Sequence, residues 1–167
     1  MADARPNMVS YLDIGLLNGG PTSNIVQLGD GFTEITEDWG ADISSTQYVN
    51  MSGKSSTVKG YDFSITLERE HMSDATQTAI DSLFKSLPVG AKCNTFYYRF
   101  YASDMTGTTT KTGDCIKVPV VVVPSSTGGK GEDVLTSSIE MHGNGNVIIG
   151  TGTVSSEGAL TWAAKAV

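Results

Sequence analysis

Between Tyr61 and Glu70 the residues follow a period of two. Tyr61, Phe63, Ile65 and Leu67 fall on one side, and Asp62, Ser64, Thr66, Glu68 and Glu70 on the other. A period of two over this length specifies a strand of an antiparallel sheet, with one face in a core and one in water. The wet face carries the carboxylates Asp62, Glu68 and Glu70, a heavy load for one strand. The segment Val134 to His142 repeats the pattern, with Ile139 and Met141 on the core side and Thr136, Ser138 and Glu140 on the polar side.

The remaining segments extend this β reading. Phe32 to Trp39 is a β-type run stopped by Gly40, and Lys92 to Ala102, Cys115 to Val123 and Val147 to Val154 read as further strands. Asn144-Gly145, between the last two runs, predicts a tight hairpin. The period changes to 3.6 once: Ala75, Ala79, Ile80, Leu83 and Phe84 share a helix face over residues 74–87, with Asp74 and Gln77 as a capping pair and Pro88 beyond the end. Residues 41–59 are polar except for the cluster Tyr48, Val49 and Met51, and are expected to form a long functional or mobile loop. With 167 residues, 19 of them Gly, the chain reads as a single mainly β domain at residues 25–154. The end segments, residues 1–24 and 155–167, are read as arms. Their Leu12, Ile14, Leu16, Leu17, Leu160 and Trp162 are too apolar to stay in water, so they pack either on neighbouring subunits or on their own domain.

Charge narrows the function. The net charge is −7, and in the first fifty residues Arg5 is the only basic side chain against seven acidic ones. An acidic chain repels phosphate, which argues against ordinary nucleic-acid binding. No apolar run approaches the ~18–20 residues of a membrane-spanning helix. The start, MADARPN, lacks the pattern of a secretory signal. Cys93 and Cys115 read as free thiols in a reducing cytoplasm.

Motifs for chemistry fail on inspection. Gly128-Gly-Lys130-Gly131 lacks the leading Gly and the Ser or Thr of a phosphate loop. His71 and His142 are the only histidines, neither begins a metal-ligand spacing, and no nucleophile elbow is present. No enzyme activity, cofactor or metal is therefore expected. The aromatic strand Phe96 to Tyr101 is different: if one side is core, Tyr97, Arg99 and Tyr101 meet water, a sugar or a protein partner.

The order of these features resembles the major tail (tail tube) proteins of long-tailed bacteriophages. The resemblance rests on Tyr61-Asp-Phe-Ser-Ile-Thr-Leu-Glu68, Asp114-Cys-Ile-Lys-Val-Pro119, Ser138-Ile-Glu-Met-His-Gly-Asn-Gly145 and Ile149-Gly-Thr-Gly152, and covers residues 30–154. It implies two packed antiparallel sheets, as a β-sandwich or partly rolled barrel, with one flanking helix. It also implies hexameric rings stacked into a non-contractile virion tail, assembled in the host bacterial cytoplasm. Its partners would be the chain itself, a tape-measure protein, tail terminator and baseplate or tail-tip proteins, and passing double-stranded DNA that is not specifically bound. On this reading Asp62, Ser64, Thr66, Glu68, Glu70, Thr136, Ser138 and Glu140 line the lumen, with Arg69 or neighbouring Lys relieving some of their repulsion. Tyr48, Val49 and Met51 dock on the next ring. Tyr97, Arg99, Tyr101, Leu160 and Trp162 meet neighbouring subunits. Two other readings remain open: the tube of a contractile injection or type VI secretion system, and a carbohydrate-binding β-sandwich with Tyr97 and Tyr101 as its stacking platform.

Overall fold

The computed structural model describes residues 7–166. Its strands are β1 (Met8–Asp13), β2 (Ile25–Gln27), β3 (Phe32–Asp38), β4 (Ala41–Thr46), β5 (Ser55–Tyr61), β6 (Ser64–Glu70), β7 (Asn94–Tyr101), β8 (Lys111–Gly128), β9 (Thr136–Gly143), β10 (Ile148–Val154) and β11 (Leu160–Ala164). The one α-helix, α1 (Ala75–Ser86), lies between β6 and β7. Nine strands form one antiparallel sheet in the order β2-β1-β7-β8-β9-β6-β3, with β10 and β11 branching from β8, while β4 and β5 form a separate two-stranded sheet. The fold is thus mainly β, with two antiparallel sheets and a single helix.

The large sheet is rolled. β3 and β7 are four strands apart in its order, a separation of roughly 19 Å in a flat sheet. Yet the Tyr97 hydroxyl donates to Glu37 Oε1 at 2.8 Å, and the Arg99 Nε donates to the same oxygen at 3.1 Å. The enclosed space holds the main core, including Leu12, Phe63, Ile65, Leu67, Tyr97, Val120, Val122, Ile139 and Met141, and α1 closes it with Ile80 and Leu83. Asp74 caps the helix as expected, accepting from the Gln77 N–H at 2.8 Å, and the chain leaves through Leu87 in the left-handed region at φ 45°.

A second core lies on the opposite face of β1, β7 and β8. Tyr11, Tyr98, Phe100, Cys115 and Leu160 pack there, with Trp162 and Val154 at its border. This overturns two sequence expectations. Both faces of β7 are covered, so Tyr97 is fully buried and Arg99 largely so; of the three residues assigned to an outward face only Tyr101 is exposed. Leu160 and Trp162 are no arm: β11 pairs with β10, and the Trp162 indole N–H donates to Cys115 O at 3.1 Å. Lys117 sits over the Phe96, Tyr98 and Trp162 rings at 4.0, 5.9 and 4.9 Å from their centroids, tying β11 to the strands beneath.

The N-terminal reading changes likewise. β1 pairs with β7 from Met8↔Tyr101 to Leu12↔Tyr97, and Leu12, Ile14 and Leu17 are buried in their own domain, so residues 8–24 belong to the fold. Residues 1–6 of the expected arm lie outside the described residues. Asn144-Gly145 does not close a hairpin either. β9 and β10 lie end to end along one edge of β8, pairing with Val120–Gly128 and Lys111–Lys117 respectively. Between them the Asn144 N–H donates to Pro119 O at 2.8 Å, and Gly145 turns the chain at φ 146°.

Candidate functional site

Four strand segments build one polar face. β6 is central, paired in register with β9 (Thr66↔Glu140, Glu68↔Ser138, Glu70↔Thr136) and with β3 (Glu34↔Glu68, Thr36↔Thr66, Asp38↔Ser64). The second half of β8 continues the face beyond β9, with Val123↔Glu140 and Ser126↔Ser138. Directly paired residues share a face in an antiparallel sheet. The register therefore brings together Ser64, Thr66, Glu68, Glu70, Thr136, Ser138 and Glu140, the residues that alternation placed on one side. Asp62 is exposed but separate: it lies in the corner between β5 and β6, where its N–H donates to Gly40 O at 2.9 Å. Tyr61, expected on the core side, is exposed at the end of β5.

β3 adds Glu34 and Asp38, whose contribution depended on strand register and so was not legible from either strand alone. The face then holds five carboxylates, Glu34, Asp38, Glu68, Glu70 and Glu140, and on β3, β6 and β9 no Lys or Arg shares it. Glu34 and Glu68 stand directly opposite each other, a like-charge pairing that costs stability. The Thr36 hydroxyl donates to Glu34 Oε1 at 3.2 Å, and His142 Nε2 lies 3.5 Å from Glu140 Oε2.

Arg69 is the one basic residue of these strands, and it points the other way. Its guanidinium is 2% exposed, paired with Asp74, and donates to Gln77 Oε1 at 2.9 Å and to Asp30 O at 3.2 Å. It also covers the Phe32 ring, 5.2 Å from its centroid. The expectation that Arg69 offsets the acidic face is wrong, because the same alternation that exposes Glu68 and Glu70 turns position 69 inward. Its charge instead fixes the start of α1 to the sheet.

The hydrogen bond from Arg69 holds the Asp74 carboxyl below its usual range. A depressed folded-state pKa gives stability that is complete above the ordinary aspartate value of ~3.9 and is lost as pH falls through the folded value. Asp74→Asn should therefore flatten the acid limb of a stability–pH curve by lowering the neutral plateau, since Asn keeps the cap but cannot carry the charge that pairs with Arg69. Acid denaturation followed by circular dichroism checks this; an unchanged acid limb would contradict it.

At the other end of β3 and β6, residues 41–59 are not one long loop. They build most of a ribbon, β4 paired with β5 from Ala41↔Tyr61 to Thr46↔Ser55. Alternation was hard to see there because both faces are wet: every residue of the two strands is exposed except the half-buried Ser44 and Gly60. Gly40 makes the corner at φ 38°, where a Cβ would lie 2.6 Å from Asp62 O. Ile43, Val58 and Tyr61 are exposed along the ribbon, and Tyr48, Val49 and Met51 at its tip. A free two-stranded ribbon is only marginally stable in water.

Two edges of the acidic sheet are open among the described residues. β3 pairs on one side only, and in β8 the segment beyond Val121 pairs with β9 but has lost β7. Unpaired edges of this length are sites for strand addition.

No family model matches the sequence, and no curated protein matches it. Its fold, however, is shared with solved structures. A chain from the virion of a native gene transfer agent particle superposes with a TM-score of 0.60 at 11% identity, covering 89% of this chain and 98% of that one. A chain from the tail of the empty gene transfer agent particle, refined with six-fold symmetry, gives 0.57 at 13% identity, covering 87% and 97%. A chain from the sheath–tube complex of the extracellular contractile injection system PVC gives 0.52 at 10% identity, covering 89% and 90%. At these identities the likeness is one of fold, and it spans nearly the whole of each chain.

Proposed function

We propose that this chain is a non-enzymatic tail tube subunit, which forms six-membered rings that stack into a hollow conduit for DNA. The observation that carries this reading is the uncompensated acidic face on a domain of this fold. Five carboxylates with a direct Glu34–Glu68 opposition cost the isolated domain stability, and no Lys or Arg of β3, β6 or β9 offsets them on that face. As the wall of a channel they have a use, because fixed anions keep phosphates from being captured within a Debye length of ~8 Å. The open edges of β3 and β8 supply the closure: β3 of one copy pairs with the free half of β8 in the next, and the ring leaves neither edge of the acidic sheet exposed. Tape-measure, terminator and baseplate proteins are the partners such a tube requires, and a virion tail is its location.

A second reading has support from the likeness to the PVC sheath–tube complex: the same tube inside a contractile system, with a sheath on its outer surface. The carbohydrate-binding reading loses its platform, since Tyr97 is buried. Sedimentation velocity over a hundredfold concentration range tests the assembly. Species of six subunits and larger, growing with concentration, are expected; a monomer throughout would contradict the reading.

A further inference from the structure

The acidic sheet has two ends, and they differ in chemistry. At one end, beside Asp38, Ser64 and His142, the β4–β5 ribbon departs; at the other, beside Phe32, Glu70 and Thr136, lie the β6–α1 turn and the β8–β9 loop. Seven residues of β6 separate the ends by roughly 20 Å. The ribbon bears Lys54 and Lys59 against one acid, Asp42. The opposite end bears Glu132 and Asp133 against one cation, Lys130, beside an exposed apolar group, Met72, Val134 and Leu135. The two loops there are tied together, with the His71 N–H donating to Leu135 O at 2.8 Å.

We infer that Met72, Val134 and Leu135 form the receiving surface for the ribbon tip of a second copy of this chain, stacked head to tail. Tyr48, Val49 and Met51 of one copy seat on that surface, and Lys54 faces Glu132 and Asp133. Apolar meets apolar and cation meets anion, at opposite ends of the same strands. Such a heterologous contact does not close on itself and extends along one axis. It rests on the tube reading and adds to it where one ring grips the next. Both surfaces are exposed in the single domain, so changing either leaves its core intact.

The test uses two variants and their mixture, imaged by negative stain. In one, Val134→Glu and Leu135→Glu spoil the receiver; in the other, residues 47–54 are replaced by Asn-Gly, shortening the ribbon to a two-residue turn after the Thr46↔Ser55 pair. Each alone should give single rings with an unchanged melting temperature. Mixed, they should give stacks of two rings and no longer, because each partner retains one working end. Tubes of normal length from the receiver variant, or single rings only in the mixture, would overturn the receiving surface while leaving the ring intact. Absence of rings from the unaltered chain would overturn the tube reading itself and this inference with it.

Discussion

Arg69→Ala is expected to lower the unfolding free energy by about 2–3 kcal/mol, the largest loss from any single charged residue here. The guanidinium is buried and bonded to Asp74, Gln77 and Asp30, so its removal leaves Oε1 of the equally buried Gln77 without its donor and empties the space over Phe32. Breaking a fully buried ion pair costs ~3–5 kcal/mol. The estimate is lower because the Asp74 side chain is 37% exposed and regains water. Asp74→Asn keeps the cap but leaves the buried Arg69 guanidinium without its anion, and should cost about 1–2 kcal/mol. Urea denaturation decides: a loss below about 1 kcal/mol for Arg69→Ala would mean that α1 is held by its apolar face alone.

The second large effect is on DNA. Replacing Glu68, Glu70 and Glu140 together by Lys leaves Glu34 and Asp38 against three cations on the proposed channel wall. None of the three is buried, and Glu68→Lys turns the opposition to Glu34 into an attractive pair worth ~0.2–1 kcal/mol. The subunit should therefore be at least as stable as before. Assembled variant protein should retain duplex DNA at low salt, by a factor of about ten or more over the unaltered tube, and lose it steeply as salt rises. Co-sedimentation with a labelled duplex reads this out. Equal retention by both proteins would separate the carboxylates from any role toward DNA.

The two strands that carry the argument were legible because one face is buried and the other wet, the condition under which a period of two is visible. The same period placed Arg69 inward, beside Leu67 and Phe63; residue type suggested the opposite, and the period was right. β7 defeated the reading for the complementary reason. Its alternation is real, Tyr97 and Arg99 against Tyr98 and Phe100, but a second core from β10 and β11 covers the other face. The ribbon was hidden because neither of its faces is buried, so no alternation marks it. Asn144-Gly145 is a turn sequence that found another use: two strands placed end to end on the 18-residue β8 need a break between them, and local propensity does not distinguish a break from a hairpin. Glu34 and Asp38 joined the site through register, which pairs residues some thirty positions apart in the chain.

The tail tube reading places the face of β3, β6 and β9 on a channel wall. Cryo-electron microscopy of the assembled protein tests it most directly, at a resolution that traces strands. That placement requires six-fold rings in which β3 of each subunit abuts β8 of its neighbour, with Glu34, Glu68, Glu70 and Glu140 on the inner wall. A tube carrying those four carboxylates on its outer surface would contradict it.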